Sequence, residues 1–239
     1  VLRALIWDVD GTVAETESLG HRVAFNQAFA EAGLDWHWDV ALYGRLLQVS
    51  GGRERMLAFM QQQPEAPREL AEREALAQRL HPRKNAIYAD LVAQRRIGLR
   101  PGVRRLMDEC TAFGVTQAVA TTTSTRNVEA LFSAQFGPRW QDRFAVVVCA
   151  EDVPSKKPDP QVYRCVLQRL GIGAREAFAL EDSPNGLQAA RAAGIACGIT
   201  RSVYFRDADF DGAAWVRDDL QRPVPLGLAA LQQGFALRA

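Results

Sequence analysis

The apolar positions change rhythm twice along this chain. Arg3–Asp8 (RALIWD) is a short apolar run ending in an acid, the pattern of a buried strand. From Glu17 to Gly33, Phe25, Ala28, Phe29 and Ala32 recur at helical spacing, with Gly33 as a C-terminal stop. The helical pattern continues from Asp39 to about Gln94, and no strand-like run interrupts it. After Pro101-Gly102, short apolar runs return: Val115–Ala120, Phe144–Cys149, Ala177–Leu180 and Ile195–Ile199. Helical segments at Val103–Phe113, Thr125–Gln135, Gln161–Leu170 and Pro184–Ala193 separate them. Strands alternating with helices predict parallel βαβ units. The fold class is therefore α/β: a doubly wound parallel sheet, Rossmann-like, carrying an inserted all-helical cap domain. Residues 1–14 and 96–239 form the discontinuous core, and 15–95 form the cap. Beyond about Thr200 the pattern yields no recognisable feature.

Ligands of open α/β sheets bind outside the carboxyl ends of the strands. Four polar segments follow the apolar runs there: Asp8–Thr12, Thr121–Ser124, Glu151–Lys157 and Glu181–Ser183. Asp8 and Asp10, at i and i+2 on an extended strand, point the same way. Such a pair repels unless a cation neutralises it. Asp182 adds a third carboxylate, and an oxygen-only set without His or Cys suits a hard cation, best Mg2+. A carboxylate can also attack phosphorus to give an aspartyl-phosphate, with a hydroxyl and a lysine holding the phosphoryl oxygens. Thr121 and Lys157 are of the right type. Thr122, Thr123 and Ser124 leave the hydroxyl open by a position, with Ser124 also a helix cap. Lys156 competes with Lys157.

Composition narrows the classes. Of 239 residues, 48% are hydrophobic and 24% charged, with 29 Lys+Arg against 28 Asp+Glu. That balance argues against a polyanion-binding surface, so neither nucleic acid nor an anionic membrane is an expected partner. No run approaches the ~20 apolar residues of a membrane span. The apolar run begins at once, so no leader is expected, and the compartment is read as cytoplasmic. Cys110, Cys149, Cys165 and Cys197 form no Cys-x-x-Cys pair, and His21, His37 and His81 are scattered, which speaks against structural zinc. The thiols are expected to be free. Trp36 and Trp38 are assigned to packing rather than to a binding surface.

DVDGTV (Asp8–Val13), Thr121 after VTQAVA, KPDP (Lys157–Pro160) and EDSPNG (Glu181–Gly186) resemble, in order, the four motifs of the haloacid dehalogenase-like superfamily. The intervening helical block resembles the cap of its β-phosphoglucomutase-like branch, and Glu15–Phe29 and Gly51–Arg55 are similar to the CbbY-like sugar phosphatases. The resemblance implies a phosphoric monoester hydrolase. In it Asp8 is the nucleophile and Asp10 the acid and base, whose backbone carbonyl also reaches the metal. Thr121 and Lys157 hold the phosphoryl group. Asp8, Asp10 and Asp182 hold Mg2+, and Glu181 acts behind them. It further implies a phosphorylated sugar, specifically xylulose-1,5-bisphosphate, an inhibitory by-product of Rubisco in the Calvin cycle, and a monomeric enzyme. Glu17, His21, Arg53, Lys84 and Thr122 are the substrate-binding candidates, with Arg53 preferred for a second phosphate because guanidinium binds phosphate bidentately. The rival functions are a sugar-phosphate mutase, a phosphoglycolate phosphatase and a non-catalytic regulator binding phosphorylated metabolites. Gly20 stands where the mutase pattern has a histidine. His21, about 100° further around an α-helix, is then displaced from the site, which favours hydrolysis.

Overall fold

The computed structural model describes residues 1–236. Six parallel strands form one sheet: β1 (Ala4–Trp7), β2 (Thr116–Ala120), β3 (Val146–Val148), β4 (Ala177–Glu181), β5 (Ala196–Thr200) and β6 (Trp215–Arg217), in spatial order 3-2-1-4-5-6. This is the Rossmann arrangement, and its strand order reverses between β1 and β4. β1 is entirely buried, as a central parallel strand covered on both faces must be. Its side chains alternate. Leu5 and Trp7 enter one apolar cluster, Ala4 and Ile6 the other. The first cluster is closed by α5 (Val103–Ala112), α6 (Thr125–Phe136) and α9 (Leu228–Ala236), through Leu106, Leu131 and Leu231. The second is closed by α7 (Gln161–Leu170) and α8 (Pro184–Ala192), through Val166 and Ala190.

Between β1 and α5 the chain leaves the sheet. It makes a π-helical turn over Glu17–His21 and then α1 (Arg22–Glu31), α2 (Val40–Leu46), α3 (Gly52–Met60) and α4 (Leu70–Ala93). Phe25, Phe29, Trp36, Trp38, Tyr43 and Phe59 pack together inside this block. Trp38 is fully buried between Phe25 and Phe29 and serves packing. The lower ends of α1 and α4 instead contribute Ala24, Ala28, Ile87 and Leu91 to the sheet-face cluster, so the block shares core with the sheet. The outgoing and returning linkers meet: the Arg100 N–H donates to the Val13 carbonyl at 2.9 Å, and Ala14 bridges Leu99.

Cys110, Cys149, Cys165 and Cys197 are free thiols, as expected. Among the described residues no helix is long and apolar enough to cross a membrane. The region after Thr200, featureless in sequence, supplies β6 and α9. β6 is three half-buried residues, too short and too evenly exposed to announce itself.

Candidate active site

Asp8 follows β1 and Asp182 follows β4, so the two acids flank the point where strand order reverses. Both are buried, as are Thr121 and Lys157. Lys157 is the hub. Its ammonium donates to Asp8 Oδ1 at 2.7 Å, to Glu181 Oε1 at 2.6 Å and to the Ala120 carbonyl at 2.8 Å. Three acceptors on three strand ends use all three of its protons. Glu181 is further fixed by the Tyr163 hydroxyl, which donates to Oε1 at 2.6 Å. Ser183 caps α8 by accepting the Gly186 N–H at 3.1 Å. Gly186 leaves room for Glu181, because a Cβ there would fall 2.0 Å from its carboxylate. Gly11 does the same for Asp182: its φ is +84°, and a Cβ would stand 2.1 Å from Asp182 Oδ2.

Asp8, Glu181 and Asp182 each place one carboxylate oxygen within 4.8 Å of the others, and all three residues are buried. Burial and then the charge of Glu181 raise Asp8 while Lys157 works against both, and the carboxyl stands at about 7. Burial, Asp8 and Glu181 likewise push Asp182 well above the usual carboxylate range. Three crowded acids with one ammonium among them form an oxygen-only donor set short of positive charge. A hard divalent cation fits that set.

Asp10 is not gathered into this group. Its carboxylate turns toward the helical block, accepting the Thr16 hydroxyl at 2.6 Å and meeting His21 Nε2 at 3.1 Å. Burial alone would raise Asp10, yet His21, Thr16 and the charge of Lys84 outweigh it and hold the carboxyl at about 2. Glu181, read from sequence as a group behind the ligands, has its carboxylate among them.

His21 corrects the sequence argument. The turn over Glu17–His21 is π-helical, which accommodates an extra residue and changes the angular step between side chains. His21 is therefore not displaced from the site. Its Nε2 reaches Asp10, its Nδ1 lies 2.8 Å from Lys84 Nζ, and its ring stacks on Tyr88 at 4.2 Å. A charged lysine only donates, so Nδ1 accepts and Nε2–H points at Asp10. Gly20 itself is sterically fixed, since a Cβ there would lie 2.6 Å from Ile97. The preference for hydrolysis cannot rest on this histidine.

Two connected chambers lie under the helical block. A chamber of about 60 Å³ is lined by Asp8, Thr121, Lys157 and Asp182. A larger one of about 290 Å³ is lined by His21, Arg53, His81, Lys84 and Lys156. Asp10, Glu17, Arg55 and Thr122 line both. Thr121 Oγ1 accepts the Thr123 N–H at 3.2 Å, and Ser124 caps α6. Lys84 is buried and pushed down to about 8 by that burial, despite the opposing charges of Glu17 and Asp10. Arg53 faces the larger chamber with its side chain 44% exposed, 3.6 Å from Glu74.

Sequence reasoning missed Arg55 and Tyr43. Arg55 is buried, donates to the Tyr43 hydroxyl at 2.8 Å and lies 3.6 Å from Glu17. The Tyr43 hydroxyl in turn donates to Glu17 Oε2. Arg53 and Arg55 sit about 200° apart around α3. Only the apolar companions of Arg55 on that helix, Met56 and Phe59, marked which arginine faces inward.

The lysine-bridged carboxylates at the switch point of a Rossmann sheet, roofed by helices that bring cations, suit an enzyme that handles phosphate esters. The chain belongs to the haloacid dehalogenase-like hydrolases, whose family model matches residues 2–194. It is 45% identical to the plasmid-encoded protein CbbY of Cupriavidus necator over 223 residues, 93% of this chain and 87% of the relative. It superposes on the crystal structure of CbbY from Rhodobacter sphaeroides in complex with phosphate with a TM-score of 0.89, at 40% identity, over 97% of this chain and all of the other. A mutant of that protein, crystallised with xylulose-1,5-bisphosphate, matches equally well, at TM-score 0.89 and 40% identity, over 97% of this chain and 99% of that one. The chain is accordingly a CbbY-like phosphatase of the haloacid dehalogenase-like family.

Proposed function

We propose that this enzyme is a Mg2+-dependent phosphatase that releases phosphate from a sugar bisphosphate, such as xylulose-1,5-bisphosphate, through an aspartyl-phosphate on Asp8. The observation that carries the reading is the pairing of chambers. One is lined by Asp8 and Lys157 and sized for a phosphoryl group; the other is larger and holds Arg53, Arg55, Lys84 and Lys156 for the rest of an anionic substrate. The relative crystallised with xylulose-1,5-bisphosphate supports the substrate.

In the proposed reaction an Asp8 oxygen attacks phosphorus while the bond from phosphorus to the sugar oxygen breaks. Asp10 delivers a proton to the departing alkoxide. Asp10, now a carboxylate, takes a proton from water, and that water attacks the aspartyl-phosphate, releasing inorganic phosphate and restoring Asp8. Thr121 and Lys157 hold the phosphoryl oxygens. Asp8, Asp182 and the Asp10 backbone carbonyl would hold Mg2+, with Glu181 beside them. When bound, the ion supplies neutralising charge to the reacting oxygens. Glu17, His21, Arg53, Lys84 and Thr122 would contact the sugar and its second phosphate from a cap spanning residues 15–95.

A phosphate-release screen over mono- and bisphosphorylated sugars and phosphoglycolate tests the substrate, with EDTA and added Mg2+ as arms. Xylulose-1,5-bisphosphate is expected to lead the screen, and activity is expected to vanish in EDTA and return with Mg2+. Turnover insensitive to chelation, or phosphoglycolate as the best substrate, overturns the reading. The mutase reading keeps one observation in its favour, the contact of His21 with Asp10. An isomeric sugar phosphate in place of free phosphate among the products would select it.

A further inference from the structure

The larger chamber is crowded with charge, and its cations already have partners. Lys156 meets Glu54 at 2.6 Å. Arg55 is held by Tyr43 and Glu17. Lys84 reaches His21 and lies over the Phe25 ring at 4.8 Å. Arg53 faces Glu74. His81 lines the same space, and among the described residues neither of its ring nitrogens has a hydrogen-bond partner.

His81 stands three residues before Lys84 on α4, so the two share a helix face. Gly52, at the start of α3, gives the imidazole its space. A Cβ at Gly52 would stand 3.0 Å from His81 Nε2 and 3.3 Å from the Phe25 ring. Burial, Lys84 and Lys156 push the imidazole down to about 4, so it is neutral at physiological pH. A neutral imidazole carries one donor and one acceptor, whereas lysine and arginine only donate. The cations therefore suit phosphate oxygens. An alcohol that must both donate and accept finds its match in the histidine.

We infer that His81 is a specificity-determining residue that hydrogen-bonds an uncharged oxygen, hydroxyl or carbonyl, on the carbon frame of the substrate. This rests on the sugar-phosphate reading above. A phosphate ester with no oxygen at that place leaves the half-buried imidazole unpaired against the ligand, and polar groups left unpaired are how a site rejects a near-analogue.

The test compares kcat/KM for xylulose-1,5-bisphosphate and for p-nitrophenyl phosphate, which has no hydroxyl on its frame, in four proteins. These are wild type, His81→Ala, His81→Gln and Gly52→Ala. The expected result is a fall of about tenfold or more in the sugar-to-aryl ratio for His81→Ala. His81→Gln, which keeps a donor and an acceptor, restores part of the ratio. Gly52→Ala, which crowds the imidazole without removing it, lowers the ratio in the same direction. Equal losses on both substrates, or a ratio within twofold of wild type in His81→Ala, overturn the assignment. A wild type that cleaves the aryl ester but not the bisphosphate overturns the substrate reading itself, before any variant is consulted, and His81's role with it.

Discussion

Asp8→Asn should abolish turnover and, in the absence of metal, make the protein more stable. Wild-type Asp8 has its carboxyl raised from 3.8 to about 7, chiefly by burial and by the neighbouring Glu181, with Lys157 opposing. Between those two values the folded protein holds a proton that the unfolded chain has lost. Stability therefore falls as pH rises from about 4 to about 7 and levels off above. Integrating between pH 5 and pH 8 gives a loss on the order of 2–3 kcal/mol from this one group. Asparagine has the same shape, keeps an oxygen for Lys157 and does not ionise. The stability of the variant minus that of wild type should thus grow by an amount on the order of 2–3 kcal/mol from pH 5 to pH 8. Urea unfolding followed by tryptophan fluorescence in EDTA, at unit steps of pH, measures the difference. A difference that stays flat with pH would refute the claim that the nucleophile is held ionised at a cost. Adding Mg2+ should reverse the order, because wild type gains about 2.7 kcal/mol at a hundred times its dissociation constant while the variant gains less.

Gly11→Ala should weaken Mg2+ binding about tenfold or more by isothermal calorimetry, because its Cβ would meet the Asp182 carboxylate and its φ is +84°; unchanged affinity would refute the steric argument. Arg100 is buried and donates to the carbonyls of Gly11, Thr200, Arg201 and Asp218. Arg100→Met should leave these acceptors unpaired and cost at least about 3 kcal/mol in urea unfolding. Tyr43→Phe removes the hydroxyl between Arg55 and Glu17; KM for the sugar bisphosphate should rise with kcat/KM for p-nitrophenyl phosphate within twofold, and equal losses on both would count against a substrate-side role.

The sheet was legible because its strands are covered on both faces. RALIWD and FAVVVC are apolar without alternation, and each polar segment that follows marks a carboxyl end. That is why Asp8, Thr121, Lys157 and Asp182, distant in sequence, could be placed together from sequence alone and do line one small chamber. What stayed hidden depends on side-chain direction. Asp8 and Asp10 share a strand face in the extended-chain reading, but the chain leaves β1 at Trp7, and Asp10 turns to Thr16 and His21. The histidine appeared misplaced because an α-helical step was assumed where the backbone makes a π-turn. Arg53 and Arg55 differ by half a turn of helix, a distinction that composition cannot make. β6, three half-buried residues, lacks the continuous apolar run that made the other strands visible.

The two aspartates of the DVD segment end up in opposite electrostatic states, and the cause is where each points. Asp8 faces other acids and is pushed up to about 7; Asp10 faces His21, Thr16 and Lys84 and is held at about 2. Pairs of titratable groups driven apart in this way divide acid and base work between them. The groups that hold Asp10 down come from the helical block and its entry turn: Thr16 and His21 from the outgoing segment, Lys84 from α4. The groups that set Asp8 come from the sheet: Lys157 and Glu181. Movement of the helical block relative to the sheet would therefore retune Asp10 through its hydrogen-bond and charge partners, and Asp8 through the change in its burial. An anion entering the larger chamber competes for Lys84 and brings negative charge near Asp10, and both effects raise the affinity of that carboxyl for a proton. In the proposed reaction this is the direction required, because Asp10 must hold a proton to deliver to the departing alkoxide and then, as a carboxylate, take one from the attacking water.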